Sequence, residues 1–469
     1  MIWDLDKYSS KTAVITGTGK YISYARLSEL TKELADVVNR RCLVFCLCSN
    51  TLGSLVGYVS FLNHGIVPLM LDAHIAPDLL KQFITAYRPD YIWGPKELST
   101  VLSGEKVYES CAYTLIKHGN ENVYPMYEEL ALLLTTSGST GSPKFVRQSL
   151  SNIKANTKSI IKYLKLDSTE RPITTLPMNY TYGLSIINTH LFVGATIILT
   201  QASLMQREFW TQFNEHKATS FGGVPYTYEI LDKLMFFRRN LPSLRMMTQA
   251  GGKMMPELQR KFAEYAKREN KKFVVMYGAA EATARMAYLP VEKSLEKYGS
   301  IGIEIPGGKF QLVDDNGAEI TTPDTVGELV YSGANVTLGY ALCGEDLAKG
   351  DENKGTLKTG DIAKFDSDHF YYVVGRRKRF LKIFGNRVGL DETEQLIKHY
   401  FNGLECACAG KDDLMYVFIS DAAKTGKIKN FLAEKTHLNQ AAFHVIALDT
   451  IPKNEAGKTL YGELEKFYD

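Results

Sequence analysis

Between Thr135 and Lys144 the chain reads TTSGSTGSPK, a run dense in hydroxyls and glycines that ends in a lysine and follows the apolar run Leu130 to Leu134. Gly138 and Gly141 let the backbone turn so that N–H groups approach an anion. Thr136, Ser137, Ser139 and Thr140 add hydroxyl donors, and Lys144 adds a charge. The chemistry that suits such a loop is the cradling of phosphate, with a polyanionic nucleotide as its natural guest. A solvated linker has a similar composition, but linkers seldom follow a buried strand and end in Pro-Lys.

Farther on, Tyr277-Gly278-Ala279-Ala280-Glu281 puts an aromatic face, a tight turn and a carboxylate close together. Tyr277 could stack on a purine, and Glu281 could hold Mg²⁺, which takes oxygen ligands and shares them with substrate phosphates. A strand end with a surface glutamate is the plain alternative. Thr359-Gly360-Asp361 offers a carboxylate able to accept ribose hydroxyls, although such a tripeptide is common. Gly457-Lys458 sits in a loop bounded by Pro452 and Gly457, where a single lysine is ordinarily just solvated.

Other phosphate-binding designs fail on inspection. A Walker loop needs glycine where Pro452 begins PKNEAGKT, a dinucleotide fingerprint starting at Gly17 and Gly19 meets Ile22 at its third glycine position, and the kinase motifs H-R-D and D-F-G are absent.

The elements that would position these groups alternate helix and strand. Ser23–Asn39, Leu52–His64 and Pro77–Tyr87 read as helices, with strands at Leu43–Cys48, Ile66–Leu71 and Tyr91–Trp93. The same α/β texture returns with a helix over Ser151–Leu164 and strands at Ile173–Leu176, Ala195–Leu199 and Lys272–Met276, which predicts two wound sheets packed together. From about Lys309 short β pieces with turns at Asp315-Asn316-Gly317 and Ser332-Gly333 suggest a small barrel. The cationic run Gly375 to Arg379 follows the strand-like Phe370–Val374 and precedes a compact stretch with its own strand and helix signals, so it reads as a hinge rather than an ordinary solvated face.

With 469 residues, 45% of them apolar, the chain can fill several cores. A net charge of +3, from 55 basic and 52 acidic side chains, leaves no basic stripe for nucleic acid. The start MIWDLDKYSS has no apolar signal-peptide core, and Leu52 to Leu71 is broken by Asn63, His64, Gly65 and Pro68, so neither export nor a membrane span is expected and the cytoplasm is the default. Seven cysteines without paired C-x-x-C spacing are expected as reduced, mostly buried thiols.

In order, TTSGSTGSPK, YGAAE, TGD, GRRKRFLKIFGNRV and PKNEAGK resemble the serial motifs of the adenylate-forming superfamily, which includes acyl-CoA synthetases, adenylation domains of peptide synthetases and beetle luciferases. The resemblance covers nearly the whole chain. It implies a large N-terminal adenylation domain, residues 1–375, of two wound sheets plus a small β-barrel, and a smaller mobile α+β C-terminal domain, residues 376–469. By this likeness Thr136 to Lys144 enclose the ATP phosphates, Gly251 and Gly252 with Tyr277, Gly278 and Ala279 line the adenine and acyl pockets, and Glu281 positions Mg²⁺. Asp361 and Arg376 grip the ribose, Lys378 is the hinge residue, and Lys458 is the catalytic lysine. Tyr180, Thr181, Tyr182 and Gly183 belong to the acyl-pocket segment.

The implied activity converts a carboxylic acid to an acyl-AMP with release of pyrophosphate, followed by transfer to coenzyme A or to the phosphopantetheine thiol of an acyl carrier protein. Amino-acid-activating relatives anchor the substrate ammonium with an aspartate at a fixed distance before a Gly-Ala pair, and counting back from Gly194 lands on Thr181. Threonine cannot neutralise an ammonium, and burying an unpaired cation is costly, so a fatty or aryl acid is expected. One position departs from the family pattern: Ala280 stands where threonine is usual. The lost hydroxyl leaves either a slower enzyme, a substitute donor at Thr283, or a nucleotide-binding scaffold without turnover.

Overall fold

The computed structural model describes residues 1–100, 103–119, 124–135, 144–377, 379–384, 386–436, 438–454 and 457–468. Its first sheet grows from continuous apolar runs. Leu43–Cys48 is buried at every position, as a strand covered on both faces must be. It pairs in parallel with Val67–Asp72 and Tyr91–Pro95, and Leu130–Thr135 adds in parallel beyond Val67–Asp72. Antiparallel strands finish an eight-stranded sheet at each flank, Phe145–Ser149 and Gly339–Ala341 on one side, Tyr113–Lys117 and Glu105–Ser110 on the other.

The expected helices form over Tyr24–Val38, Leu52–Asn63, Pro77–Tyr87 and Leu150–Leu164. A reciprocal cap opens the last of these: Asn152 N donates to Ser149 Oγ at 3.1 Å and Ser149 N donates to Asn152 Oδ1 at 3.0 Å, an arrangement worth about 1 kcal/mol. Leu52–Asn63 is buried almost all round, which explains its predominantly apolar sequence without recourse to a bilayer. No helix of the described residues is long and apolar enough to cross a membrane.

A second sheet has five strands: Ser220–Gly223, Met246–Gln249 and Lys272–Tyr277 in parallel, then Ala287–Tyr288 and Ile303–Glu304 antiparallel. The strand expected over residues 173–176 is reduced to single bridges, Pro172 with Ser220 and Ile173 with Ile198. Pro172 and Pro177 bracket that segment and have no N–H to extend a ladder, and Thr174 turns its hydroxyl to the Thr200 carbonyl at 3.1 Å. The β-rich region after Lys309 is a four-stranded antiparallel sheet of Gly308–Val313, Gly327–Gly333, Thr356–Phe365 and Tyr371–Arg376, bridged to the second sheet through Gly302 and Tyr371.

Beyond Arg376 come the hairpin Phe380–Ile383 with Asn386–Gly389, the helices Leu390–Tyr400 and Thr425–Thr436, and a three-stranded sheet of Cys406–Lys411, Leu414–Ile419 and Phe443–Ala447. The hydrophobic clusters of this part draw only on residues 381–468. All seven cysteines are free thiols, five of them buried, matching the expectation.

Candidate active site

Glu281 stands on a tight turn directly after the strand Lys272–Tyr277. Gly278 must be glycine, because a Cβ there would overlap the Ala284 carbonyl. The turn is clamped from the Ala334–Thr337 segment. Thr337 donates from its backbone and its hydroxyl to the Glu281 carbonyl at 3.0 and 2.9 Å. Asn335 Nδ2 donates to the carbonyls of Ala282 and Arg285, each at 2.9 Å, while its Oδ1 accepts from Tyr331 at 2.8 Å. Fixing the backbone this way fixes where the carboxylate points.

That carboxylate accepts from the Tyr340 hydroxyl, and the face of the same ring lies 4.0 Å from Lys144 Nζ. Burial, reinforced by the Glu281 charge, raises the Tyr340 phenol well above its usual range, so it remains a donor. The strand Gly339–Ala341 that carries it is held by Arg147, a fully buried guanidinium that donates to the carbonyls of Leu338 and Tyr340 at 3.0 Å and to Glu352 Oε2 at 2.6 Å. Lys144 and Glu281 are thereby brought together. The expected phosphate-loop residues Thr136, Ser137, Gly138, Ser139, Thr140 and Gly141 lie outside the described residues, as does Lys378.

Asp361 and Arg376, expected at a ribose, meet Tyr277, expected in the adenine and acyl pockets. Tyr277 donates its hydroxyl to Asp361 Oδ2, and Arg376 Nε donates to Asp361 Oδ1 at 3.1 Å. Desolvation raises the Asp361 pKa while Arg376 opposes it. Each oxygen keeps a second lone pair, which suits a carboxylate meant to accept from neighbouring hydroxyls.

Lys458 arrives from the far end of the chain on the short bridge between Lys453 and Thr459. Asn454 closes this turn, its Oδ1 accepting from Lys458 N at 2.9 Å and its N–H donating to the Lys458 carbonyl at 2.9 Å. Tyr226 supports it, with Lys453 Nζ 4.2 Å from the ring centre. Lys458 Nζ lies 5.5 Å from the centre of the Tyr180 ring. Desolvation lowers its pKa to about 8; Arg376 pushes in the same direction, and Glu281 and Asp361 favour the cation. An ammonium that answers to all three of these side chains shares one site with them.

The four acyl-pocket residues divide. Tyr180 faces Lys458 and packs against Gly251, whose φ of +87° and crowded Cβ position both require glycine. Gly252 is beside it, its carbonyl accepting from Gln249 Nε2 at 3.0 Å. Tyr182 lines a cavity between the helix Thr181–Phe192 and the second sheet, with Ser185, Ile186, Met246 and Met276. Thr181 donates to the Thr283 carbonyl, and Gly183 lies against the backbone of Leu176 and Pro177, so these two shape the wall rather than line that cavity. Ala279 precedes the Glu281 turn in extended conformation. Thr283 donates its own hydroxyl to the Asn335 carbonyl at 2.7 Å, so it does not stand in for the hydroxyl missing at Ala280.

Among the described residues no three His, Cys, Asp or Glu side chains gather as a metal cage. A lone carboxylate fits Mg²⁺ nonetheless, since that ion keeps most of its shell from water and substrate phosphates. Tyr340, Asn335 and Arg147 were not singled out from the sequence. The phrase Ser332-Gly333-Ala334-Asn335 carried the only local signal, an asparagine beside a turn.

The AMP-binding enzyme family matches residues 3–341. The 2-succinylbenzoate–CoA ligase of Bacillus licheniformis is 29% identical over 347 residues, 72% of this chain and 70% of that protein. Peroxisomal OPC-8:0-CoA ligase 1 of Arabidopsis thaliana is 27% identical over 353 residues, 72% of this chain and 64% of its own length. Among solved structures, o-succinylbenzoate CoA synthetase of Bacillus subtilis with its acyl-adenylate intermediate superposes with a TM-score of 0.78 at 20% identity, covering 98% of this chain and 97% of that one. The same enzyme with ATP and magnesium ion gives 0.77. This chain belongs to the AMP-binding enzyme family.

Proposed function

We propose that the protein is an acid–thiol ligase: it activates a carboxylic acid with ATP as an acyl-AMP, releases pyrophosphate, and transfers the acyl group to the thiol of coenzyme A. One observation carries this reading: Lys458, Glu281, Asp361 and Arg376 share one electrostatic site beside Tyr180. A carboxylate is a poor electrophile, and joining its oxygen to the ATP α-phosphate gives the carbonyl a good leaving group. In that step an acid oxygen forms the new P–O bond as the bond to pyrophosphate breaks. Lys458 stabilises the negative charge on the transferring phosphoryl group and on the departing pyrophosphate, a role for a pre-positioned cation. Asp361 accepts from the ribose hydroxyls, with Arg376 and Tyr277 holding its orientation. Mg²⁺, held at Glu281, would neutralise phosphate charge.

The lysine is proposed to belong to a mobile domain of residues 376–469. Rotation about Lys378 would withdraw Lys458 after adenylation and open the acyl-AMP to the thiol, which leaves AMP as the acyl group moves to sulfur. The names of the relatives support coenzyme A as that thiol. The cytoplasm is the proposed compartment. Acid-dependent exchange of labelled pyrophosphate into ATP tests the first half, using a panel of fatty, aryl and amino acids. Adding coenzyme A, or a phosphopantetheinylated carrier protein, then identifies the acceptor. Binding of ATP without exchange for any acid would favour a scaffold without turnover and overturn the proposal.

A further inference from the structure

Two arginines are buried beside the site, and they differ in one respect. Arg147 has Glu352 as a counter-ion and backbone carbonyls around the rest of its guanidinium. Arg285 is 3% exposed, and among the described residues no carboxylate lies within ion-pair distance of it. Its Nε has no hydrogen-bond partner. Nη1 reaches the Ala284 carbonyl at a long 3.3 Å, and the guanidinium carbon stands 3.9 Å from the centre of the Tyr182 ring.

This is not a loosely placed side chain. Asn156 Nδ2 donates to the Arg285 carbonyl at 2.9 Å, Asn156 Oδ1 accepts from Arg285 N at 3.3 Å, and Asn335 holds the same carbonyl from the other side at 2.9 Å. Burying a guanidinium without a counter-charge is unfavourable, and a stacked ring offsets only part of the lost hydration. The chain therefore maintains an uncompensated cation at a fixed position, and that position is the wall of the cavity lined by Tyr182, Ser185, Thr248 and Met276.

The same cavity receives a second unpartnered atom, His190 Nε2. His190 Nδ1 donates to the Ile186 carbonyl at 2.7 Å, so Nε2 carries the lone pair, and burial lowers the ring's pKa to about 4. His190 is thus neutral near pH 7, and Arg285 supplies the cavity's positive charge. Tyr182 and Ser185, on the cavity wall, belong to the helix that begins next to Tyr180, which faces Lys458.

We propose that Arg285 is the anchor for a second acidic group on the substrate, so that the acid activated here is two-ended: one carboxylate is adenylated near Lys458 and the other is bound by Arg285. This rests on the acid-activating reading above and narrows its substrate from a plain fatty or aryl acid to one with an anionic distal end. The guanidinium supplies the charge and a planar donor edge for that carboxylate, and His190 Nε2 accepts from a hydroxyl or amide on the connecting chain. A substrate with a distal ammonium is excluded by repulsion.

The test is pyrophosphate exchange with pairs of mono- and dicarboxylic acids of equal chain length, aliphatic and aryl. Wild-type protein should prefer the diacid of the right length by about 10²-fold in kcat/KM. Arg285→Met should remove that preference through KM while leaving the rate with monoacids unchanged or higher, which also shows that the variant is folded. Arg285→Lys, keeping the charge but not the planar fork, should retain an intermediate preference. Wild-type exchange with monoacids but not diacids overturns this inference and leaves the ligase reading intact. Equal loss of both acids in Arg285→Met overturns it as well, since a structural arginine would behave that way. Absence of exchange with every acid overturns the ligase reading itself.

Discussion

Tyr340 donates its hydroxyl to Glu281 Oε1 at 2.6 Å although 59 residues separate them. The same ring receives Lys144 on its face, so one side chain couples the carboxylate to the end of the glycine-rich loop. Tyr340→Phe preserves the ring for Lys144 and deletes only the donor to Glu281. Groups that orient a metal-binding carboxylate typically contribute about 10-fold or more in metal affinity or activity. The half-saturating Mg²⁺ concentration for pyrophosphate exchange should therefore rise about 10-fold in this variant, with acid KM little changed. An unaltered Mg²⁺ dependence would show that Glu281 does not hold the ion.

Lys458 gives a pH signature. Its pKa is depressed to about 8, chiefly by desolvation, so the cation is present below that pH and lost above it. The kcat/KM of exchange reports ionisations of the free enzyme and should fall as pH rises through about 8, well before an ordinary lysine would titrate. Lys458→Arg should lose this falling limb because guanidinium stays charged, and Lys458→Ala should lower exchange by about 10²-fold at every pH. The linkage to stability has the opposite sense: the unfolded chain holds the proton up to about 10.5, so this group's contribution to stability increases between pH 8 and 10.5. A flat profile in the wild type, or the same limb in Lys458→Arg, contradicts the assignment.

Ala280 is buried in the Glu281 turn, and the nearby Thr283 hydroxyl is committed to Asn335. Ala280→Thr restores the donor usual in the family. A hydrogen bond to a charged group contributes about 1.5–3 kcal/mol, so kcat for adenylation should rise about 10-fold or more. No change in kcat would mean that the α-phosphate already has its full set of donors from elsewhere in the site.

What the sequence disclosed follows the range of the interactions involved. Leu43–Cys48 and Leu52–Asn63 were readable because burial on all sides writes itself as a predominantly apolar run. The turn at Glu281 was readable because Gly278 sits where no Cβ fits. Lys458 was legible only through resemblance, since a loop lysine looks solvated until the chain folds it against Tyr180. Tyr340 and Arg285 were not legible at all, and Asn335 only as an asparagine beside a turn. Their partners lie 59, 129 and 50 residues away, brought close by sheet order that no local pattern encodes. The segment over residues 173–176 misled because its composition is strand-like while its prolines stop the ladder.

The remaining prediction separates docking of the lysine from its chemistry. The turn that carries Lys458 rests on Tyr226: Lys453 Nζ stands 4.2 Å from its ring centre, and a Cβ at Gly457 would come within 3.0 Å of it. Tyr226 is 38% exposed, so its truncation opens no deep cavity and should leave the melting temperature nearly unchanged. If residues 376–469 dock here only for the first half-reaction, Tyr226→Ala should slow pyrophosphate exchange by about 10-fold, the equivalent of about 1.4 kcal/mol, while thioester formation from supplied acyl-AMP proceeds normally. Lys378→Pro should do the reverse, sparing exchange and impairing thioester formation, because stiffening the hinge hinders the rotation that follows adenylation. Equal losses in both half-reactions for both variants would mean that the lysine acts from one fixed arrangement, and the proposed domain rotation would have to be abandoned.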